Sequence, residues 1–270
     1  MEIHVTDLDI PELMIYRALN ENQLRKFYEP EPGIFICESE KVISRALDAG
    51  YEPLSVLMAE NMTGESAACV LDRCSDIPVY LAEEGTIKEL TGFALTGGIQ
   101  CAMRRKTLPV TQDIVAGRKC IAVLDDVENP TNVGAIFRSA AALGIEAVLL
   151  THGCADPLYR RAARVSMGTV FQIPWTFCGR SEDVNDTLHD AGFTTIAMAL
   201  SENASAISDP RIKSAQKRAI FLGNEGYGLR PDTVSECDII AKIPMSPGID
   251  SLNVAAASAV AFWEIGKDRI

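Results

Sequence analysis

Three stretches in the second half of the chain place polar side chains and glycines directly after apolar, strand-like runs. They are NPTNVGAIFRSAAALG with Asn132 and Arg138, AIFLGNEGYGL with Glu225, and IPMSPGIDSLNVAAASAV with Ser251 and Asn253. Open α/β sheets bind their ligands just beyond the carboxyl ends of strands, so amide, carboxylate, hydroxyl and guanidinium groups gathered there can hydrogen bond a ligand and hold its charge. Asn132 and Arg138 lie six residues apart, about one and two-thirds helical turns, and do not share one narrow helix face. An Asn132 in the loop ahead of the helix, with Gly134 allowing close backbone approach, can instead turn toward Arg138. Taken singly, each stretch also has a plainer meaning: an asparagine turn with a solvated arginine, a glycine turn, and a serine helix cap at Ser251.

The glycines of the second stretch do not spell a dinucleotide site. Their order is Gly-x-x-Gly-x-Gly, the reverse of the nicotinamide-binding fingerprint, and Leu229, Arg230 and Pro231 follow where a long helix should start. A nicotinamide-dependent oxidoreductase is thereby disfavoured. The eight cysteines lack the paired spacing of a zinc site or the density of a secreted disulfide framework, and His4, His152 and His189 are far apart. Reduced, structural thiols and no metal are expected.

Taken together, Asn-x-Gly-x-x-x-Arg, Gly-Asn-Glu-Gly and Ser-Leu-Asn-Val, in this order and spacing, resemble the three motifs of the SpoU (TrmH-like) family of RNA 2′-O-ribose methyltransferases. RRAARVSMGTVFQIPW is similar to another stretch common in that family, and residues 82 to 106, with LTGFALTGGIQCAMRR, resemble the end of its accessory substrate-binding domain. The likeness is strong after residue 120 and looser before it.

The resemblance implies a SPOUT fold: a parallel sheet whose C-terminal segment is threaded into a trefoil knot, a topology that general rules of chain connection disfavour. It implies S-adenosyl-L-methionine as cofactor, cradled by Leu222, Gly223, Ile243, Met245 and Leu252, and a structured RNA as substrate, with a ribosomal target preferred over transfer RNA. It implies a homodimer joined through the final helix, whose apolar, small-residue surface from Val254 to Trp263 suits such an interface. Arg138 is the family residue assigned to activating the ribose hydroxyl. Because a guanidinium is almost never deprotonated in proteins, its role is to hold an RNA phosphate and stabilise the developing alkoxide. Asn132 would orient Arg138 or the ribose, Glu225 would fix the arginine through a bidentate pair, and Ser251 and Asn253 would shape the pocket floor. The rival from another class is a non-catalytic RNA-binding or ribosome-assembly factor that retains the pocket.

The elements that must position these residues follow from the pattern of apolar runs. IAVLDDV, AVLLT, TTIAMAL, AIFLG and IIAKIPM read as strands, alternating with helices around Gly134–Leu143 and near Tyr159–Val165, which predicts a parallel α/β sheet. The chain then ends on an apolar helix expected to be buried. The first part reads as a small mixed α/β module: a helical stretch around Ile15–Phe27, strands at Ile34–Cys37, Leu54–Met58 and Val79–Ala82, helices at Glu40–Ala49 and EEGTIKELTG, and a last strand in GGIQCAMRR. The Pro- and Gly-containing TLPVTQDIVAGRKC sets the join near residue 112, so residues 1–112 form an accessory RNA-binding domain and residues 113–270 a catalytic one.

A chain of 270 residues with 47% hydrophobic content has enough apolar mass for two such cores. It contains no run of eighteen apolar residues, and MEIHVTDLDIPE lacks the flank and apolar stretch of a signal peptide, so a cytoplasmic, membrane-free protein is expected. The net charge of −12 spreads over both parts, with 10 basic against 18 acidic residues up to position 110 and 15 against 19 beyond it. Broad, non-specific binding to nucleic acid is thereby disfavoured, while a focused cationic patch stays compatible with the charge. Arg160, Arg161 and Arg164 are the chosen RNA contacts, other clusters being Arg104–Lys106 and Arg211–Arg218.

Overall fold

The computed structural model describes residues 2–17, 33–62, 64–95, 97–248 and 251–267. Their contacts divide the chain into two compact units, Met1–Thr107 with Leu158–Gln172, and Leu108–Pro157 with Ile173–Ile270.

In the first unit β1 (Glu2–His4), β2 (Ile34–Glu38), β3 (Pro53–Ala59), β4 (Val79–Ala82) and β5 (Ile99–Arg104) form one sheet in the order β1-β4-β3-β5-β2. β3 runs parallel to β4 and antiparallel to β5. Helices α1 (Glu40–Asp48), α2 (Glu65–Arg73) and α3 (Glu84–Thr91) accompany the strands, and Gly92 ends α3 in the left-handed conformation (φ 80°), the stop expected from its glycine. Leu57, Tyr80, Ala102, Ile87 and Leu90 pack with Leu13 and Tyr16 of the 3₁₀ turn Pro11–Tyr16. The Tyr16 hydroxyl donates to the Ser55 carbonyl (2.8 Å) and so stays satisfied while buried. Of the helical stretch expected around Ile15–Phe27, residues 18–27 lie outside the described residues. β1 and α2 are elements that the apolar pattern did not announce.

The second unit is built on a seven-stranded sheet with every pair parallel. Along the chain come α4 (Thr111–Val115), β6 (Cys120–Leu124), α5 (Pro130–Ala142) and β7 (Ala147–Leu150). Next is the short α6 (Arg160–Val165), which belongs to the first unit, and then β8 (Trp175–Phe177), α7 (Ser181–Asp190), β9 (Thr194–Met198), β10 (Ser205–Ala206) and α8 (Pro210–Ser214). β11 (Arg218–Leu222), α9 (Pro231–Glu236), β12 (Ile239–Lys242) and α10 (Val254–Gly266) complete it. The sheet order is β10-β12-β9-β11-β6-β7-β8. All five residues of β6 and of β11 are buried, the pattern of central parallel strands covered on both faces.

Helix α10 packs on α5 so closely that a side chain at Gly266 would overlap the Leu143 carbonyl. The Arg218 guanidinium donates to the Ile265 carbonyl (2.6 Å) and ties the end of α10 to the start of β11. The expectation of a buried final helix holds for one side. Val254, Ser258, Ala261, Phe262 and Ile265 are covered, whereas Val260 (42%) and Trp263 (55%) are exposed, because α5 occupies only one face of the helix. The join lies at Thr107/Leu108 instead of near residue 112, since the residues that lead into α4 pack with the second unit. Among the described residues no helix is long and apolar enough to cross a membrane.

Candidate active site

The three polar stretches converge at the carboxyl ends of the parallel strands. Helix α5 starts at Pro130, with the Asn129 side chain accepting the Thr131 N–H (2.9 Å) as its cap. Asn132 therefore lies in the first helical turn and not in the preceding loop, and it is buried. Its side-chain N–H donates to Glu225 Oε1 (2.6 Å), and its side-chain oxygen accepts from the Asn253 amide (3.2 Å). Asn253 uses its own oxygen to accept the Ala255 N–H (2.9 Å), so it is the N-cap of α10, the place that the plainer reading of this stretch gives to Ser251. One chain of hydrogen bonds, Glu225 to Asn132 to Asn253, thus links the three stretches.

The loop bearing Glu225 is shaped by its glycines. Gly223 abuts the Gly228–Leu229 backbone so tightly that no side chain fits, and Asn224 and Gly228 exchange both backbone hydrogen bonds (3.1 and 3.0 Å). Gly228 adopts φ 74°, which a side chain would strain. The Asn224 side chain accepts from Gly226 N–H (2.7 Å) and donates to the Asp126 carbonyl (2.9 Å). Beyond the loop, buried Asp125 accepts from Arg230 (3.1 Å) and from the Thr233 hydroxyl (3.0 Å), tying the start of α9 to the end of β6. Burial raises the Cys154 thiol beneath this region to about 12, keeping it protonated.

A cavity of about 820 Å³ opens beside this network, within the usual range for a small-molecule site. Leu222, Gly223, Ile243, Met245 and Leu252, the residues expected to cradle a cofactor, all line it, together with Glu225, Ser251 and Asn253. Sequence reasoning missed Met198 to Ser201 at the end of β9, and Tyr227, Pro231 and Val234. The signal available for the first of these was the same strand-end position that picked out the other loops.

Arg138 is the site residue that the structure does not bring in. It is exposed, does not line the cavity, and has no partner among the described residues. Glu225 does not form the expected bidentate pair with it, because a start at Pro130 turns Asn132 inward and Arg138 outward on α5. Arg160, Arg161 and Arg164 fall in the first unit. There the Arg164 guanidinium lies 3.5 Å from a carboxylate oxygen of buried Glu38, and Arg160 lies 4.0 Å from the other and covers the Phe93 ring at 4.2 Å. Arg160 and Arg164 therefore also neutralise a buried charge, and Arg161 is exposed.

A wholly parallel α/β sheet with a ligand-sized cleft at its strand ends, rimmed by amides and a carboxylate, defines a nucleotide- or cofactor-binding protein. Residues 119–263 match the model of the SpoU rRNA Methylase family, and the chain belongs to that family of RNA methyltransferases. It is 36% identical over 263 residues to an uncharacterized tRNA/rRNA methyltransferase of Mycobacterium bovis, covering 96% of this chain and 90% of that protein. Its fold is similar to that of an AdoMet-bound rRNA methyltransferase from Sinorhizobium meliloti (24% identity, TM-score 0.84, 100% of this chain and 99% of that one). An RNA 2′-O ribose methyltransferase of known structure is also similar, at 25% identity and TM-score 0.77, over 100% of this chain and 99% of that one.

Proposed function

We propose that the chain transfers the methyl group of S-adenosyl-L-methionine to a ribose 2′-hydroxyl of a structured RNA, ribosomal RNA ahead of transfer RNA. The observation that carries this reading is the Glu225–Asn132–Asn253 network at the edge of the cavity, which joins all three motif stretches.

The cavity suits the cofactor chemically. Leu222, Ile243, Met245 and Leu252 offer apolar walls for an adenine, while the Gly223–Gly228 loop and Ser251 offer polar groups for the ribose and amino-acid parts. Bound there, the cofactor supplies an electrophilic methyl group on a sulfonium, so the protein's task is orientation of the acceptor. Glu225, held by Asn132, and Asn253, held at the head of α10, present fixed polar atoms to the ribose, and fixed donors and acceptors spare reorganisation as charge develops. Arg138, exposed on α5 and outside the cavity lining, holds an RNA phosphate, and the 2′-hydroxyl proton passes to that phosphate or to water as the oxygen accepts the methyl group.

The same reading carries three further elements. The C-terminal segment is threaded as a knot, a reading supported by residues 222–229 lining a single cavity with Ile243, Met245 and Ser251 to Val254. A homodimer forms through α10, supported by the exposed Val260 and Trp263. RNA docks on Arg160, Arg161 and Arg164, whose local positive charge stands out on an acidic chain.

Incubation with tritiated S-adenosyl-L-methionine and separate ribosomal and transfer RNA fractions from a strain lacking the gene tests the reading. Label is expected in ribosomal RNA, at a 2′-O-methyl position absent from that strain. Label in neither fraction, from protein that binds the cofactor, counts for an RNA-binding factor instead.

A further inference from the structure

Tyr227 lines the cavity, yet 59% of its surface is exposed at the loop tip. An exposed aromatic side chain ordinarily samples several rotamers, but this one is tethered. Its hydroxyl donates to Asp126 Oδ2 (3.3 Å), and burial together with the Asp126 carboxylate raises the phenol above its ordinary range, so it keeps the proton it donates.

Asp126 is itself fixed. Its N–H donates to the hydroxyl of buried Thr151 (2.9 Å), and that hydroxyl donates back to Asp126 Oδ1 (2.9 Å). The residue sits at φ 55°, in the left-handed region that aspartate tolerates better than most side chains. A side chain at Gly153 would overlap the Asp126 carboxylate, so the chain leaves room for the tether there. The result is a phenol ring held across the cavity rim, with its anchor on a different strand end from its own.

Charge narrows what this ring receives. Asp126, Glu128 and Glu225 surround the loop, with Glu128 3.3 Å from the Asn224 amide, and three carboxylates repel a phosphate. The deep apolar walls, such as Leu222 with 1% exposure, are the place for the adenine of a cofactor, whereas the Tyr227 ring faces solvent, from which RNA arrives. A flat, uncharged group coming from that side is a nucleobase, and every base offers a face for stacking.

We propose that Tyr227 is a stacking platform for a base of the RNA entering the cavity, and that Asp126 and Thr151 are the residues that position it. The proposal rests on the reading of this site as that of an RNA methyltransferase.

The test compares wild type with Tyr227→Ala, Tyr227→Trp, Tyr227→Phe and Gly153→Ala. Methyl transfer to bulk ribosomal RNA yields kcat and KM, calorimetry yields S-adenosyl-L-methionine affinity, and a gel shift yields RNA affinity without turnover. Tyr227→Ala is expected to raise the RNA KM about tenfold, within the range for losing one base–aromatic stack, with cofactor affinity unchanged. Tyr227→Trp retains the platform; Tyr227→Phe, which loses only the tether, and Gly153→Ala, which displaces it, fall between. Unchanged RNA affinity and KM in Tyr227→Ala overturns the proposal, as does weakened cofactor binding with RNA affinity intact. Should wild type bind RNA but transfer no methyl group, the enzymatic reading fails, and the gel shift on Tyr227→Ala still decides the platform.

Discussion

Asn253 donates its side-chain amide to Asn132 at 3.2 Å across 121 positions of sequence, while its other side-chain atom caps its own helix. One residue thus sets both the start of α10 and the junction between the first and third motif stretches. Its two functions can be separated by substitution. Asn253→Ala loses both and is expected to lower stability by about 1 kcal/mol, the usual cost of a lost cap, and to weaken methyl transfer. Asn253→Ser keeps a capping oxygen and drops the bond to Asn132, so its melting temperature stays near wild type while its activity falls. Thermal melts alongside methyl incorporation check the pair, and full activity in Asn253→Ser would show the Asn132 bond to be dispensable.

Among the described residues Arg138 has no hydrogen-bond or ion-pair partner, and it is exposed. Arg138→Ala is therefore expected to leave stability and S-adenosyl-L-methionine affinity unchanged while removing methyl transfer, by about a hundredfold or more in kcat, the scale seen when a charge-stabilising donor is lost. Arg138→Lys should recover little, because an ammonium does not reproduce the planar guanidinium fork. Single-turnover measurement with saturating RNA distinguishes this from weakened binding.

Among the three arginines of α6, Arg161 is the exposed one, whereas Arg160 and Arg164 lie against the buried Glu38 carboxylate. Arg161→Glu should weaken RNA binding and reduce the steepness of its salt dependence by about one unit of log K against log salt, as expected for one lost phosphate contact. Glu38→Gln, by contrast, removes the buried charge that holds Arg160 and Arg164 and is expected to alter the stability of the first unit. Titrations at several salt concentrations, with melts for Glu38→Gln, read both effects. An unaltered slope in Arg161→Glu would move the RNA surface elsewhere.

Val260 and Trp263 leave an apolar strip on the outer side of α10. A charge placed there by Trp263→Glu is expected to convert a dimer into monomers, read by sedimentation velocity over a range of concentrations. A wild type that sediments as a monomer at every concentration would remove the assigned role of the strip.

The positions of the central strands and of about half of the helices were readable from local pattern, because burial on both faces makes parallel strands such as IAVLDDV and AIFLG continuous apolar runs. Elements without such a run were harder to see. α2 (ESAACVLDR) has a weak apolar period, and β1 is three residues long with no buried member. α6 was located by its sequence, but its membership of the first unit was not, since that depends on Glu38 and Phe93, more than sixty positions away in sequence.

The amino-acid sequence by itself determined which residue types meet at the site, because strand-end position and glycine spacing are local properties. Through its resemblance to the SpoU family it also pointed to the five apolar and glycine positions that line the cavity. Only the tertiary structure decided the partners: Glu225 bound to Asn132 instead of Arg138, Asn253 as the cap instead of Ser251, and Tyr227 tethered to Asp126. Those outcomes turn on where α5 begins and on which strand ends lie side by side. Hydrogen bonds have a reach of about 3 Å, so a single helical turn of phase at Pro130 is enough to exchange one partner for another.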